Sequence, residues 1–308
     1  MTTIYYSRAQ ERALQTIAKP RAGAWIVATA PTKAQLDALA TEYGLERDNL
    51  SDAIDLYEAP RIEVEGNAVY IYTRYCYPEG SEIATEPLLI IYTPDYLFTI
   101  LRSQTSILDR LMSNRLEFIT TQKTKLLLHI LSEINRSYEQ YLRKVSRQIL
   151  QLRAHMRQSH ISNREFVSII EYEEDLNEFL SALQPQALLF ASLTSGKTLR
   201  LYEEDREIIE DIGRSTSELI EQVRGRASTL LNMRQAYDAI ATNNLNTIFK
   251  RLTSIAIFLT FPTIASGIWG MNVALPIEHA RYAFVVIIAI IVAAEITAIW
   301  YFRRKKWL

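Results

Sequence analysis

Two apolar stretches near the C-terminus constrain this chain more than any other feature. Leu252 to Met271 reads LTSIAIFLTFPTIASGIWGM, 20 residues without one ionisable side chain. Tyr282 to Phe302 reads YAFVVIIAIIVAAEITAIWYF and is interrupted only by Glu295. About 20 apolar residues cross a hydrocarbon core of roughly 30 Å as a helix, so each stretch is long enough to span a bilayer. A helix buried in a soluble core normally keeps a polar side, whereas the first stretch is uncharged all round, and two membrane spans are expected. The opening MTTIYYSRAQER is too polar for a signal peptide.

The flanking charges give an orientation. The chain carries 34 Lys plus Arg against 35 Asp plus Glu, but unevenly. From Ile248 onward seven basic residues stand against two acidic ones, so this tail is +5 and the remainder −6. Lys250 and Arg251 precede the first span, and Arg303, Arg304, Lys305 and Lys306 follow the second. The connection between the spans has Arg281 as its one Lys or Arg. The positive-inside rule then expects a multi-pass protein of the cell membrane, with both termini cytoplasmic and the connection outside. Tyr282, Trp300, Tyr301 and Trp307 fall near the interfaces, where amphipathic rings are favoured. The single cysteine, Cys76, excludes a disulfide framework and suits a cytoplasmic domain. A near-neutral total argues against nucleic acid as a partner.

The cytoplasmic part reads in two halves. Residues 1–105 look α/β. β-rich runs occur at Trp25–Thr29, Arg61–Glu65, Ala68–Tyr77, Leu88–Tyr92 and Tyr96–Leu101, separated by turn signals such as Glu65-Gly66-Asn67 and Pro78-Glu79-Gly80. Thr32 to Tyr43 is a helix pattern ended by Gly44. Residues 106–196 read as a helical hairpin. Its first helix covers Thr124 to Arg157, and Ser162-x-x-Glu165 forms a capping box that starts the second. Residues 197–251 form a stalk helix in which Leu201, Ile208, Ile212, Leu219, Val223, Leu230, Tyr237, Ile240 and Asn244 recur near a 3.5-residue period. No proline interrupts it before Pro262, so it runs into the first span, 252–272. A helix on the order of 110 Å long needs partners along its length. The loop 273–281, the second span 282–302 and the basic tail 303–308 complete the chain.

Two spans joined as a hairpin cannot enclose a water-filled path, so the choice is between an anchor and an oligomeric channel. Counting back from Asn272, the residues Gly267, Thr263, Thr260, Ala256, Leu252 (or Thr253), Phe249 and Asn246 recur at helical spacing. The stripe is small and hydroxylated within the membrane, with Asn at both ends. Small residues so spaced serve helix packing equally well, and spacing alone leaves both readings open.

One short motif carries more. The first span ends in Gly270-Met271-Asn272, and the chain ends in Arg303-Arg304-Lys305-Lys306-Trp307-Leu308. The position of the tripeptide at the outer end of the first of two C-terminal spans, after a long stalk helix, resembles the CorA family of divalent-cation channels. Trp25-Ile26, Leu50-Ser51-Asp52-Ala53-Ile54-Asp55 and Pro60-Arg61-Ile62-Glu63 resemble that family's N-terminal domain. The resemblance covers essentially the whole chain.

It implies a funnel-shaped homopentamer with first spans lining the pore, Gly270, Met271 and Asn272 as selectivity filter, and the stripe from Asn246 to Gly267 as pore wall. Mg²⁺ is then the transported and regulatory ion, with Co²⁺ and Ni²⁺ also admitted. Mg²⁺ dehydrates reluctantly, and neutral amides and carbonyls can hydrogen-bond its water shell while still releasing it. Leu252 and Phe249 would form a hydrophobic constriction that gates by dewetting, Phe249 standing where the family usually has a methionine-type residue. The resemblance also places an inter-subunit regulatory metal site at Asp52 and Asp211, with Ser51 where the family often has an acid.

Other signals point elsewhere or nowhere. Ser195-Gly196-Lys197-Thr198 imitates a phosphate loop but lacks the first glycine, Ala191 standing there, and follows a helix, so no nucleotide is expected. His129, His155, His160 and His279 show no paired metal spacing. No nucleophile, base and orienter come together, so no enzyme and no organic cofactor are expected. Glu295 is an intramembrane acid, either reaching the inner interface or coupling transport to protons. The latter suits the alternative, a proton-coupled Zn²⁺ transporter of the ZntB type. An alternative of another class is a membrane-anchored coiled-coil scaffold.

Overall fold

A computed structural model of the chain describes residues 1–8, 11–80, 82–113, 118–158, 163–271 and 281–305. The chain divides into two units, Met1–Met233 and Arg234–Leu308.

The first unit is built on a seven-stranded sheet. Its strands are β1 (Thr2–Arg8), β2 (Glu11–Thr16), β3 (Trp25–Thr29), β4 (Arg61–Glu65), β5 (Ala68–Glu79), β6 (Glu82–Tyr92) and β7 (Leu97–Leu101). They lie in the order β2-β1-β3-β7-β6-β5-β4, and the β3–β7 pair is parallel while the others are antiparallel. The central strands are near-continuous apolar runs because both faces of the sheet are covered. Successive side chains alternate between two cores. Ile26, Ala28, Leu89, Ile91, Phe98 and Ile100 pack on one side with Leu36, Leu39 and Leu50 of α1 (Lys33–Tyr43) and α2 (Arg47–Asp52). Trp25, Val27, Leu88, Ile90, Leu97 and Leu101 pack on the other with the long helices. Trp25 donates its indole N–H to Thr99 Oγ1 on the neighbouring strand at 2.9 Å.

Local chemistry sets the ends of α1. Thr32 and Gln35 exchange side-chain and backbone bonds in a complete capping box, and Gly44 takes a left-handed φ of 66°. The short α3 (Asp109–Met112) leads to α4 (Lys123–Gln158), α5 (Asn163–Thr194) and α6 (Glu203–Trp269), with α7 (Ala283–Arg304) last. α4 and α5 pack through rows of buried residues such as Ile134, Tyr138 and Leu142 against Phe179, Leu183 and Phe190. The Asn135 amide of α4 donates to Ser215 Oγ and accepts from Thr216 Oγ1 of α6, both at 2.9 Å.

Three expectations need correction. The N-terminus forms two strands where a polar segment was read, because Ile4 and Tyr5 alternate onto the two cores while β2 lies polar on the sheet edge. The β5–β6 hairpin extends past its expected ends and carries Pro78 and Pro87 within strands. Pro87 is tolerated because the β6–β7 ladder begins only at Leu88, so its missing N–H faces no strand on that side. On α6 the inward row is Ile209, Ile212, Thr216, Leu219, Val223, Leu230 and Met233, while Ile208 and Ile240 are exposed. The capping residue Ser162 lies outside the described residues.

The second unit contains α6 beyond Met233 and α7. Both helices are long and apolar enough to cross a membrane. From Arg234 to Thr253 almost every residue of α6 is exposed, among them Leu245, Ile248 and Phe249. A helix exposed all round with large apolar side chains is one whose partners come from outside the chain.

Candidate ion path and regulatory carboxylates

The span of α6 has two distinct faces. Ser254 is fully buried, Phe258, Pro262 and Ala265 are half-buried, and the Phe258 ring meets Phe302 of α7 edge-on with centroids 5.7 Å apart. Leu252, Ala256, Thr260, Thr263 and Gly267 are all exposed. At about 100° per residue the two sets point in nearly opposite directions. The stripe read from the sequence is therefore the face that α7 does not cover. Phe249 and Asn246 are also exposed.

The hydroxyls on that face are internally satisfied as donors. Thr260 donates to the Ala256 carbonyl and Thr263 to the Leu259 carbonyl, each at 2.7 Å. With the proton turned back into the helix, the oxygen lone pairs remain as acceptors. This suits metal-bound water, whose hydrogens point away from the ion. Pro262 lies inside α6 and supplies no N–H to the Phe258 carbonyl one turn below, which leaves a further polar group within the span.

At the end of α6 the Gly270 N–H donates to the Ser266 carbonyl at 2.9 Å, and the Met271 N–H to Ile268 at 3.3 Å. A Cβ at Gly270 would stand 3.2 Å from the Ser266 oxygen, a crowded position. A helix C-terminus carries unpaired carbonyls and roughly half a negative charge, a surface that favours cations. Asn272, the last residue of the expected filter, lies outside the described residues, as does His279.

Glu295 is half-buried on α7, in the row Ile291, Ala294, Ala298 and Phe302 that turns toward α6.

The two carboxylates expected to hold a regulatory ion, Asp52 and Asp211, make no contact with each other among the described residues. Asp52 ends α2 and is held by Arg61 at 2.8 Å. Arg61 also binds Glu63 at 2.7 Å and Glu58, and stacks 3.8 Å over the Tyr72 ring. Burial pushes the Tyr72 hydroxyl pKa well up, with the Arg61 charge pulling the other way. Asp211 projects from α6, 72 % exposed at its side chain, with Arg214 at 3.4 Å. No bond or ion pair joins Asp52 to Asp211 within the chain among the described residues, and no group of three or more metal-ligating side chains occurs among them. Sequence reasoning passed over Arg61 as a partner of Asp52. The signal was present in three acids, Asp52, Glu58 and Glu63, around one arginine at a strand start.

The family described as CorA-like Mg²⁺ transporter protein matches residues 21–304. The chain belongs to this family. A relative named cobalt/magnesium transport protein CorA, from Methanocaldococcus jannaschii, is 26% identical over 306 residues, covering 92% of this chain and 91% of its own. The complete structure of the CorA magnesium transporter from that organism superposes with a TM-score of 0.87 at 23% identity, covering 100% of this chain and 99% of the other. The ZntB cytoplasmic domain from Vibrio parahaemolyticus shares the fold, with a TM-score of 0.63 and 9% identity over 78% of this chain and 98% of its own. The CorA-family chain described here is thus a membrane-embedded divalent-cation transporter, not an enzyme, with an N-terminal α/β domain, a long helix and two C-terminal apolar helices.

Proposed function

We propose that this chain assembles as a homopentamer that conducts hydrated Mg²⁺, with Co²⁺ and Ni²⁺ as lesser cargo, down the voltage across a cell membrane. The observation that carries this reading is the α6 face opposite α7. It is exposed in the single chain, lined by small and hydroxylated residues with acceptor lone pairs, and it leads to a helix C-terminus. Five such faces around an axis make a wall of neutral acceptors, which bind weakly enough to let an ion leave. Gly270, Met271 and Asn272 form the filter at its outer end. Lys250, Arg251, Arg303, Arg304 and Lys305 hold both inner flanks in the cytoplasm by the positive-inside rule.

A specific observation favours a second reading. Glu295 faces the helix pair rather than water, where an acid is costly and often functional. In a proton-coupled Zn²⁺ transporter it would carry the proton. Purified protein in liposomes separates the two. Mg²⁺ entry driven by voltage alone is expected; Zn²⁺ entry that requires a proton gradient would overturn the channel reading and bring Glu295 forward. Flux of neither ion would leave a scaffold.

Regulation rests on Asp52 and Asp211 of adjacent subunits bridged by Mg²⁺, so that falling cytoplasmic Mg²⁺ releases the closed state. Arg61 is shared among Asp52, Glu58 and Glu63, which leaves that cluster net negative, and Asp211 is the more exposed of the two acids. Asp211→Ala is expected to relieve inhibition by high internal Mg²⁺ in current recordings. Unchanged inhibition would remove Asp211 from the mechanism.

A further inference from the structure

A cavity of about 470 Å³ is lined entirely by residues of the first unit. Its floor is one face of α4, where Glu133, Arg136, Ser137, Gln140 and Tyr141 recur at helical spacing. The end of β5 and the segment 103–107 form its walls, and Arg110 of α3 closes one side. The volume lies within the range of about 300–1,000 Å³ usual for small-molecule sites.

The charges in it are unequal. The only carboxylate among the lining residues, Glu133, is buried and is engaged by Arg110 at 2.6 Å. Arg136 is exposed and makes no ion pair or hydrogen bond among the described residues. Its guanidinium offers a planar fork of N–H donors, the geometry that binds phosphate oxygens in pairs. Gln104, Thr105 and Ser106 add amide and hydroxyl donors from the facing segment. Tyr77 and Tyr141 present rings against which the body of a ligand can lie. A metal ion does not fit, because the one carboxylate is already paired. A purely apolar ligand would strand the arginine, the amides and the hydroxyls.

We infer that this cavity binds a small phosphate ester, its phosphate on Arg136 and its organic body against Tyr77 and Tyr141. The site is remote in sequence from Ser195–Thr198, where Gly196 simply ends α5 with a φ of 69°. It is independent of the transport reading, since binding is measured without flux.

The test is calorimetric titration of the full-length protein in detergent with ribose 5-phosphate and, separately, with inorganic phosphate. Saturable binding of the ester is expected, weakened at least about tenfold by Arg136→Gln, because a charge-assisted pair is lost. Arg147→Gln, at an exposed arginine on the same helix, is expected to leave it unchanged. Arg136 is exposed, so its variant keeps the fold, which unchanged circular dichroism would verify. No saturable binding up to millimolar ester, or undiminished binding by Arg136→Gln, would overturn the inference. Inorganic phosphate binding as tightly as the ester would overturn the assignment of the organic body.

Discussion

Asn272→Ala is expected to lower Mg²⁺ flux into liposomes by about a hundredfold while leaving the protein folded and pentameric. The argument starts from the ion. Mg²⁺ keeps several of its waters when protein-bound, and those waters present hydrogens outward, so a filter that passes the hydrated ion must present acceptors. The C-terminus of α6 supplies main-chain carbonyls, and its dipole adds partial negative charge at the same place. In the proposed pentamer each Asn272, two residues after Gly270 in the sequence, would add one amide acceptor, five in all, and one substitution would remove them together. Each net hydrogen bond is worth about 0.5–1.5 kcal/mol, and tenfold in rate is about 1.4 kcal/mol, so even partial engagement of the ring reaches a hundredfold. Restoring the amide as Asn272→Gln moves it by one methylene and should recover only part of the flux. Wild-type flux in Asn272→Ala would place the filter elsewhere and weaken the channel reading as a whole.

How much of this was legible in the sequence depended on whether the signal was local. Thr32, Gln35 and Gly44 marked both ends of α1 because a cap is made by residues that are neighbours in the chain. The apolar runs within β3, β5, β6 and β7 were legible because a strand covered on both faces is apolar at most positions, whereas the polar ends of β5 and β6 were not. β1 was not, since its identity depends on pairing with β3 through the register Ile4↔Ile26, a contact that composition does not announce. The inward row of α6 was misplaced by one residue at Ile208 because isoleucine occurs at both 208 and 209, and only packing on α4 and α5 chooses between them. The stripe from Leu252 to Gly267 was legible as a stripe but ambiguous in purpose. Its position opposite the α7 contact shows which face of α6 it occupies, and the pore role is the proposed one. Arg61 was missed because its partner Asp52 is nine residues away, on a different element. A family resemblance points to the acid without naming the base beside it.

We propose that Phe249 and Leu252 gate the path, and this gives the second large effect. Phe249 and Leu252 lie one turn apart on the face that α7 leaves open, each 61% exposed in the single chain. Just beyond them Ala256, Thr260 and Thr263 begin the acceptor-lined stretch, so the change from dry to wettable wall falls between Leu252 and Thr260. A narrow ring of large apolar side chains excludes water, and a hydrated ion cannot pass until the ring widens or wets. Replacing both rings by hydroxyl-bearing residues removes that barrier without altering the acceptors farther out. Phe249→Ser with Leu252→Ser is therefore expected to raise Mg²⁺ leak at high internal Mg²⁺ by about a hundredfold, about tenfold or 1.4 kcal/mol for each ring. Leu252→Val alone, which keeps the wall apolar, should stay closed. The pair of variants separates wetting from simple loosening of the helices. A leak in Leu252→Val as large as in the double serine variant would mean that packing, not dryness, holds the path shut. If neither variant leaks, the gate lies elsewhere along α6.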